Sequence, residues 1–145
     1  MGLEQVFDIS AAGMDVQQLR LQVAASNIAN ARTTSAPGTP AYQPLTVVVR
    51  ASAPGTIAAG GELSAAALAR PFAQEVVPMN VTPKRVYEPG NPDADKDGFI
   101  SLPGVDPIGS MMDLLEISRS YEANLRAFDI TRNLMQRTLD IGSKA

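Results

Sequence analysis

Asp93, Asp95 and Asp97, with Gly98 after them and Ile100 two residues further on, fill the acidic positions of the first half of a calcium loop. In such a loop the carboxylates at positions 1, 3 and 5 supply hard oxygen ligands. Glycine at 6 makes the sharp turn, and a bidentate glutamate at 12 closes the shell. Position 12 here is Gly104, preceded by Pro103, and the entering segment is Pro89-Gly90-Asn91-Pro92, which is no incoming helix. A plain Asp/Gly turn, in which the aspartates bond nearby backbone, accounts for the same residues. The turn is the preferred reading, and a calcium-binding helical adaptor is kept as a rival. Glu116, Arg119, Glu122 and Arg126 form a second cluster with acid and base groups. Their spacing is that of ion pairs on a helix surface, and nothing in the composition supplies an apolar pocket to shift their pKa values. No catalytic residue, metal ligand or cofactor is assigned, and Met14, Met111, Met112 and Met135 read as core filler.

Composition narrows the classes further. The 145 residues hold one domain, or a small domain with an extended element. There is no histidine, cysteine or tryptophan. Without histidine the commonest general base and transition-metal ligand are missing, and without cysteine there is no disulfide framework or thiolate metal site. An enzyme is therefore not expected. The net charge is −3 with scattered basic residues, which argues against a nucleic-acid partner. No apolar run approaches the roughly 20 residues of a membrane span. Glu4 and Asp8 stand where a cleaved secretory signal would carry lysines and then an apolar core, so no such signal is expected.

The elements that must position any site follow from the prolines. All 11 fall between Pro37 and Pro107, dividing the chain at 1–34, 35–106 and 107–145. The first part predicts a helix from about Leu3 to Asn30, with Asn30 as a left-handed cap residue before a loop through Gly38. It carries two heptad seams: Phe7, Ala11, Met14, Gln18, Leu21, Ala25 and Ile28, and Ile9, Ala12, Val16, Leu19, Val23, Ser26 and Asn30. At about 100° per residue the two lie on nearly opposite sides. A surface helix needs one apolar stripe, so this one is expected to have partners on both sides. Gly13 costs a helix about 1 kcal/mol and is rationalised by close approach of a neighbouring helix. Asn27 and Asn30, a polar pair at the end of an apolar helix, are candidates for specifying register, with a helix cap the alternative for Asn30.

In the middle part, Tyr42 to Arg50, Phe72 to Val77, Arg85 to Glu88 and Phe99 to Leu102 read as short strands, with Pro44 at an edge or bulge. Leu63 to Arg70 reads as two helical turns, and Ala53-Pro54-Gly55 and Gly60-Gly61 as turn and loop. In the last part Asp106 is an N-cap, Pro107 sits at the first helical position, and the helix is expected to end near Ile141 before Gly142. Its main seam is Met111, Leu114, Ser118, Tyr121, Leu125, Phe128, Arg132, Met135 and Leu139. A second strip comprises Ala123, Ala127, Ile130, Leu134 and Ile141. The fold class is α+β: long N- and C-terminal helices paired as an antiparallel coiled coil, with a small irregular β segment between them.

Leu19-Arg20-Leu21 and Val23-Ala24-Ala25-Ser26-Asn27-Ile28-Ala29-Asn30-Ala31 with Thr33 resemble the N-terminal signature of the bacterial flagellar rod and hook proteins. Val86-Tyr87-Glu88-Pro89-Gly90-Asn91-Pro92-Asp93-Ala94-Asp95, then Gly98-Phe99-Ile100 and Pro103-Gly104-Val105-Asp106, narrow the resemblance to the proximal rod. Ser118-Arg119-Ser120-Tyr121-Glu122-Ala123-Asn124 and Leu139-Asp140-Ile141-Gly142 agree with it. Ser26 stands where that family commonly has asparagine, and so does Gly104. Residues 35–84 carry little of the likeness. Asn27, Asn30, Glu88, Pro89, Asn91, Pro92, Arg119, Tyr121 and Asn124 are the motif positions.

The resemblance implies a structural subunit of the proximal rod, the hollow drive shaft that crosses the periplasm within the basal body. It implies synthesis in the cytoplasm and export by the flagellar type III apparatus without a cleaved signal. The implied partners are copies of itself, other rod subunits, the export apparatus, and ring and hook components of the basal body. Another rod or hook subunit is the alternative within the family. The expected assembly interface comprises Phe7, Ile9, Met14, Val16, Leu19, Leu21, Val23 and Ile28 on the first helix. On the second it comprises Leu114, Tyr121, Leu125, Phe128, Ile130, Leu134, Met135 and Leu139. A lone chain leaves one seam of each helix wet, so its termini are expected to be weakly folded until assembly.

Overall fold

The computed structural model describes residues 3–51 and 70–143. Helix α1 spans Leu3–Asn30 and helix α2 spans Pro107–Ser143. Between them lie four short strands, β1 (Leu45–Ala51), β2 (Pro71–Pro78), β3 (Lys84–Tyr87) and β4 (Phe99–Leu102). They form two separate two-stranded sheets, β1 with β2 and β3 with β4. The expected helices at 63–70, apart from Arg70, and the expected turns at 53–61 lie outside the described residues.

The described residues group into two units, one within Met1–Leu19, Val48–Glu75 and Ile117–Ala145, the other within Arg20–Val47 and Val76–Glu116. In the first unit α1 and α2 pack antiparallel. Phe7 meets Phe128 edge to face at 4.8 Å between ring centroids, while Gly13, further along α1, meets Asn124, further back along α2. A Cβ at Gly13 would lie 2.9 Å from Asn124 Nδ2, so the helices approach closely where the sequence gives up a side chain. Ser10, Val16, Ile117 and Thr131 are buried in this unit. Thr131 satisfies its hydroxyl by donating to the Ala127 carbonyl one turn back, at 2.9 Å.

In the second unit β3 and β4 make an antiparallel hairpin, with Lys84 opposite Leu102 and Tyr87 opposite Phe99. Ile100 of β4 is 2% exposed, and Pro103 and Val105 are buried beside it in sequence. Gly104 between them has no room for a side chain: a Cβ there would fall 2.4 Å from Val81 Cγ1 and 2.7 Å from the Thr82 carbonyl oxygen. Glycine thus stands where a calcium loop has its closing glutamate, and it lets the backbone pack closely there.

Helix ends differ from expectation in two places. Asn30 is not left-handed; among the described residues positive φ occurs at Asn80, Gly38 and Gly98. Its side chain instead donates from Nδ2 to the Ser26 carbonyl four residues back, at 2.8 Å. Helix α2 runs through Gly142 to Ser143, because a glycine costs a helix only about 1 kcal/mol and does not by itself end one. Its start is as expected: the Ile108 N–H donates to Asp106 Oδ1 at 3.2 Å, the arrangement of an N-cap.

Candidate assembly surface

Phe128 and Asn124 of α2 meet α1 at Phe7 and Gly13, and the sheltered positions along α2 differ in part from the apolar seams of the sequence. On α2 the sheltered positions are Leu114, Ile117, Tyr121, Asn124, Phe128, Thr131 and Met135, an unbroken heptad pattern. Leu114, Tyr121, Phe128 and Met135 belong to the expected main seam. At the other three turns the better-sheltered residue is one position earlier: Ile117 is buried beside a half-buried Ser118, while Asn124 and Thr131 are sheltered where Leu125 and Arg132 are exposed. Asn124 and Thr131 are polar, and hydropathy alone passes over them. Ser10 on α1 is missed for the same reason. The available signals were the heptad spacing of Asn124 from Ile117 and Thr131 and the place of Asn124 among the motif positions.

On α1 the expected interface residues Phe7, Ile9, Met14, Leu19, Leu21, Val23 and Ile28 are all half-buried, and Val16 is 5% exposed. On α2, by contrast, Leu125, Ile130, Leu134, Leu139 and Ile141 are 41%, 60%, 50%, 64% and 71% exposed. Ile130, Leu134 and Ile141 lie about a quarter turn or more round the helix from the sheltered line. Nearer the start of α2, Ile108, Met112 and Leu115, one helical face at i, i+4 and i+7, are 73%, 67% and 72% exposed. Isolated exposed leucines need no explanation, whereas these residues repeat along one helix face and form exposed apolar strips.

Asn27 does something other than register the helix pair. Its amide is 8% exposed. Nδ2 donates to the Leu45 carbonyl at 2.8 Å, while Oδ1 accepts from the Leu45 N–H at 2.8 Å and from the Tyr42 hydroxyl at 2.9 Å. The side chain therefore imitates a strand partner for the first residue of β1 and fastens it to the last turns of α1. Tyr42 and Leu45 are the partners that the sequence did not disclose, since nothing in their spacing from Asn27 requires a contact.

The Glu88–Gly98 block is a loop closed by its own backbone and tied to neighbouring residues. The Asn91 N–H donates to the Glu88 carbonyl, the Glu88 N–H to the Gly98 carbonyl, and the Asp93 N–H to Asn91 Oδ1 at 3.0 Å. Asp95 Oδ1 accepts from the Asp97 and Phe99 N–H groups at 3.0 and 2.9 Å, and Oδ2 takes the Arg85 guanidinium at 2.5 Å. The Thr34 hydroxyl donates to Asp93 Oδ2. The Asp95 carboxyl is held below its ordinary value chiefly by the Phe99 N–H, with Asp97 and Arg85 adding to it against an opposing desolvation. Of the three aspartates, Asp95 is engaged by backbone and Arg85 and Asp93 by Thr34, and Gly98 adopts φ +80° to close the turn. Arg85 also lies over the Phe99 ring, 4.8 Å from its centroid, and Tyr87 meets the same ring edge-on at 5.3 Å. Glu88, Pro89 and Pro92 are exposed, as is Arg119.

Among the described residues no helix is long and apolar enough to cross a membrane. The surface is one of polar clamps and exposed apolar strips. A family model described as flagellar basal body rod FlgEFG protein C-terminal matches residues 96–141. The chain is 37% identical over 142 residues to the flagellar basal-body rod protein FlgC of Escherichia coli O6:H1, covering 98% of this chain and 99% of that relative. Identity and coverage are the same for the FlgC protein of Salmonella typhimurium strain LT2. For the FlgC protein of Aquifex aeolicus identity is 34%, over 97% of each chain. A match of this strength from end to end makes the chain a member of the FlgC family of flagellar basal-body rod proteins.

Proposed function

We propose that this chain is a non-enzymatic structural subunit of the flagellar basal-body rod and polymerises through its two long helices. The observation that carries the assembly mechanism is the apolar strip of α2 at Ile130, Leu134 and Ile141, exposed while another face of the same helix packs on α1. Each fully buried large apolar side chain contributes about 1.5–3 kcal/mol, so covering this strip with a neighbouring subunit drives association. Residues 1–34 and 107–145 serve as the assembling helices and residues 35–106 as the outer part. The half-buried residues of α1, together with Leu114, Tyr121, Leu125, Phe128, Met135 and Leu139, complete the interface. The Asn27 clamp and the Glu88–Gly98 loop hold the middle part to its place.

In this reading the subunit is made in the cytoplasm, leaves through the flagellar type III export apparatus and ends in the periplasmic part of the basal body, among other rod subunits and ring and hook components. Every residue from Gln136 to Gly142 is exposed, so the end of α2 has little to hold it in a lone chain. Circular dichroism of the dilute monomer is expected to show less helix than the 28 and 37 residues of α1 and α2; full helix content there would refute the coupling of folding to assembly. Complementation of a deletion strain tests the function itself. The wild-type gene should restore swimming and rod formation, and normal motility in the uncomplemented deletion would overturn the reading.

A further inference from the structure

We propose that the exposed strip of α2 docks on a specific groove of a second copy of this chain, the one on the outer face of its α1. The inference rests on the rod-subunit reading and adds to it which surface meets which. The groove has a volume of about 460 Å³ and is formed by Asp8, Ala11, Ala12, Asp15, Arg70, Pro71 and Phe72. Its floor is alanine, so another helix can come close. Its rim carries two carboxylates, Asp8 and Asp15, against one cation, Arg70, and Phe72, 46% exposed, supplies an apolar wall.

The partner must therefore offer bulky apolar side chains with cations on either side. The outer face of α2 has that pattern. Ile130 and Leu134 stand adjacent at i, i+4, with Arg126 one turn before and Arg137 close to one turn after, all four exposed. At 1.5 Å per residue the two arginines are about 16 Å apart along the helix and the two aspartates about 10 Å. Each long arginine side chain spans the small difference by leaning inward. Asp15 has no ion-pair partner among the described residues. Asp8 holds Arg70 at 3.0 Å, but both side chains are more than half exposed, so that pair is weak and shareable. The Arg126–Glu122 contact is looser still, at 3.9 Å.

Because groove and strip are different surfaces, the contact is heterologous. Each copy presents one of each, and association continues from copy to copy instead of closing as a two-fold dimer. An open series of this kind suits a subunit of a shaft.

The absence of cysteine makes a thiol test clean. Ala11→Cys and Leu134→Cys are introduced into separate chains, which are purified, mixed at high concentration and mildly oxidised. Contact raises the effective concentration of the two thiols, so the mixed disulfide should form about tenfold faster than either homodimer or a Thr39→Cys control. Adding Asp15→Arg to the first chain, or Arg137→Asp to the second, should remove that advantage, and adding both should restore it. Linkage at the control rate while sedimentation shows self-association overturns the pairing and leaves the rod reading standing. A chain that stays monomeric at every concentration also overturns it, whereas the rod reading fails separately through the swimming assay. In basal bodies carrying both thiols on one chain, a ladder at multiples of its own mass supports the proposal. Linkage to a protein of another size instead overturns it.

Discussion

Replacing Asn27 with alanine removes three contacts at once and tests whether the amide clamp organises the junction between α1 and β1. The Leu45 N–H and carbonyl and the Tyr42 hydroxyl each lose a partner at 2.8–2.9 Å. A satisfied hydrogen bond contributes about 1 kcal/mol net, and a buried group left without one costs about 1–3 kcal/mol. Asn27 is buried but its partners are only partly so, which lets water recover some of the loss. The sum is about 3 kcal/mol for Asn27→Ala. Since each 1.4 kcal/mol is a factor of ten, exchange of the Leu45 amide should accelerate roughly 100-fold. Hydrogen exchange by NMR reads that amide directly, with the Ile100 amide as a reference from the same unit. Asn27→Asp should be at least as damaging at neutral pH. It keeps the acceptor for Leu45 N–H but turns an acceptor, and a charge, toward the Leu45 carbonyl. If Leu45 exchange changed by less than about threefold in the alanine variant, the clamp would contribute no more than a surface contact and the reasoning would be wrong.

Gly104→Ala should destabilise the second unit by about 1–3 kcal/mol, because the added methyl meets Val81 and the Thr82 carbonyl and backbone must shift; a melting temperature equal to wild type would contradict this. Leu21→Asp should stop rod assembly while Leu45 and Ile100 amide protection stays intact, and normal rods from that variant would remove Leu21 from the interface. The Asp95 carboxyl has a folded-state pKa below 3.8. Its contribution is therefore fully present above that value and is lost as pH falls through the lower, folded one. The Phe99 amide shift should titrate with a midpoint under 3.8, and a midpoint at or above it would refute the hydrogen-bond account.

The helices were legible in the sequence because helix formation is governed by local spacing and local end signals. Leu3–Asn30 and Pro107–Ser143 follow from seven-residue apolar repeats, the Asp106-Pro107 start and the confinement of proline to the middle. Gly13 was legible too, since a glycine inside a long helix needs a neighbour close enough to explain it. Three strands were placed within a residue, and the first was begun three residues early, at Tyr42 instead of Leu45. Their partners were not, because pairing joins residues distant in the chain, as with Ser35 and Ser101. The tertiary structure decided which face of α2 turns inward. Hydropathy places Leu125 in the seam, but packing selects Asn124, whose small amide fits the space left by Gly13. It also decided the task of Asn27, whose hydrogen bonds depend on where the returning chain brings Leu45. Apolar periodicity states how much surface a helix has to cover; only the arrangement of its neighbours in space states which part is covered within the chain and which remains for another copy.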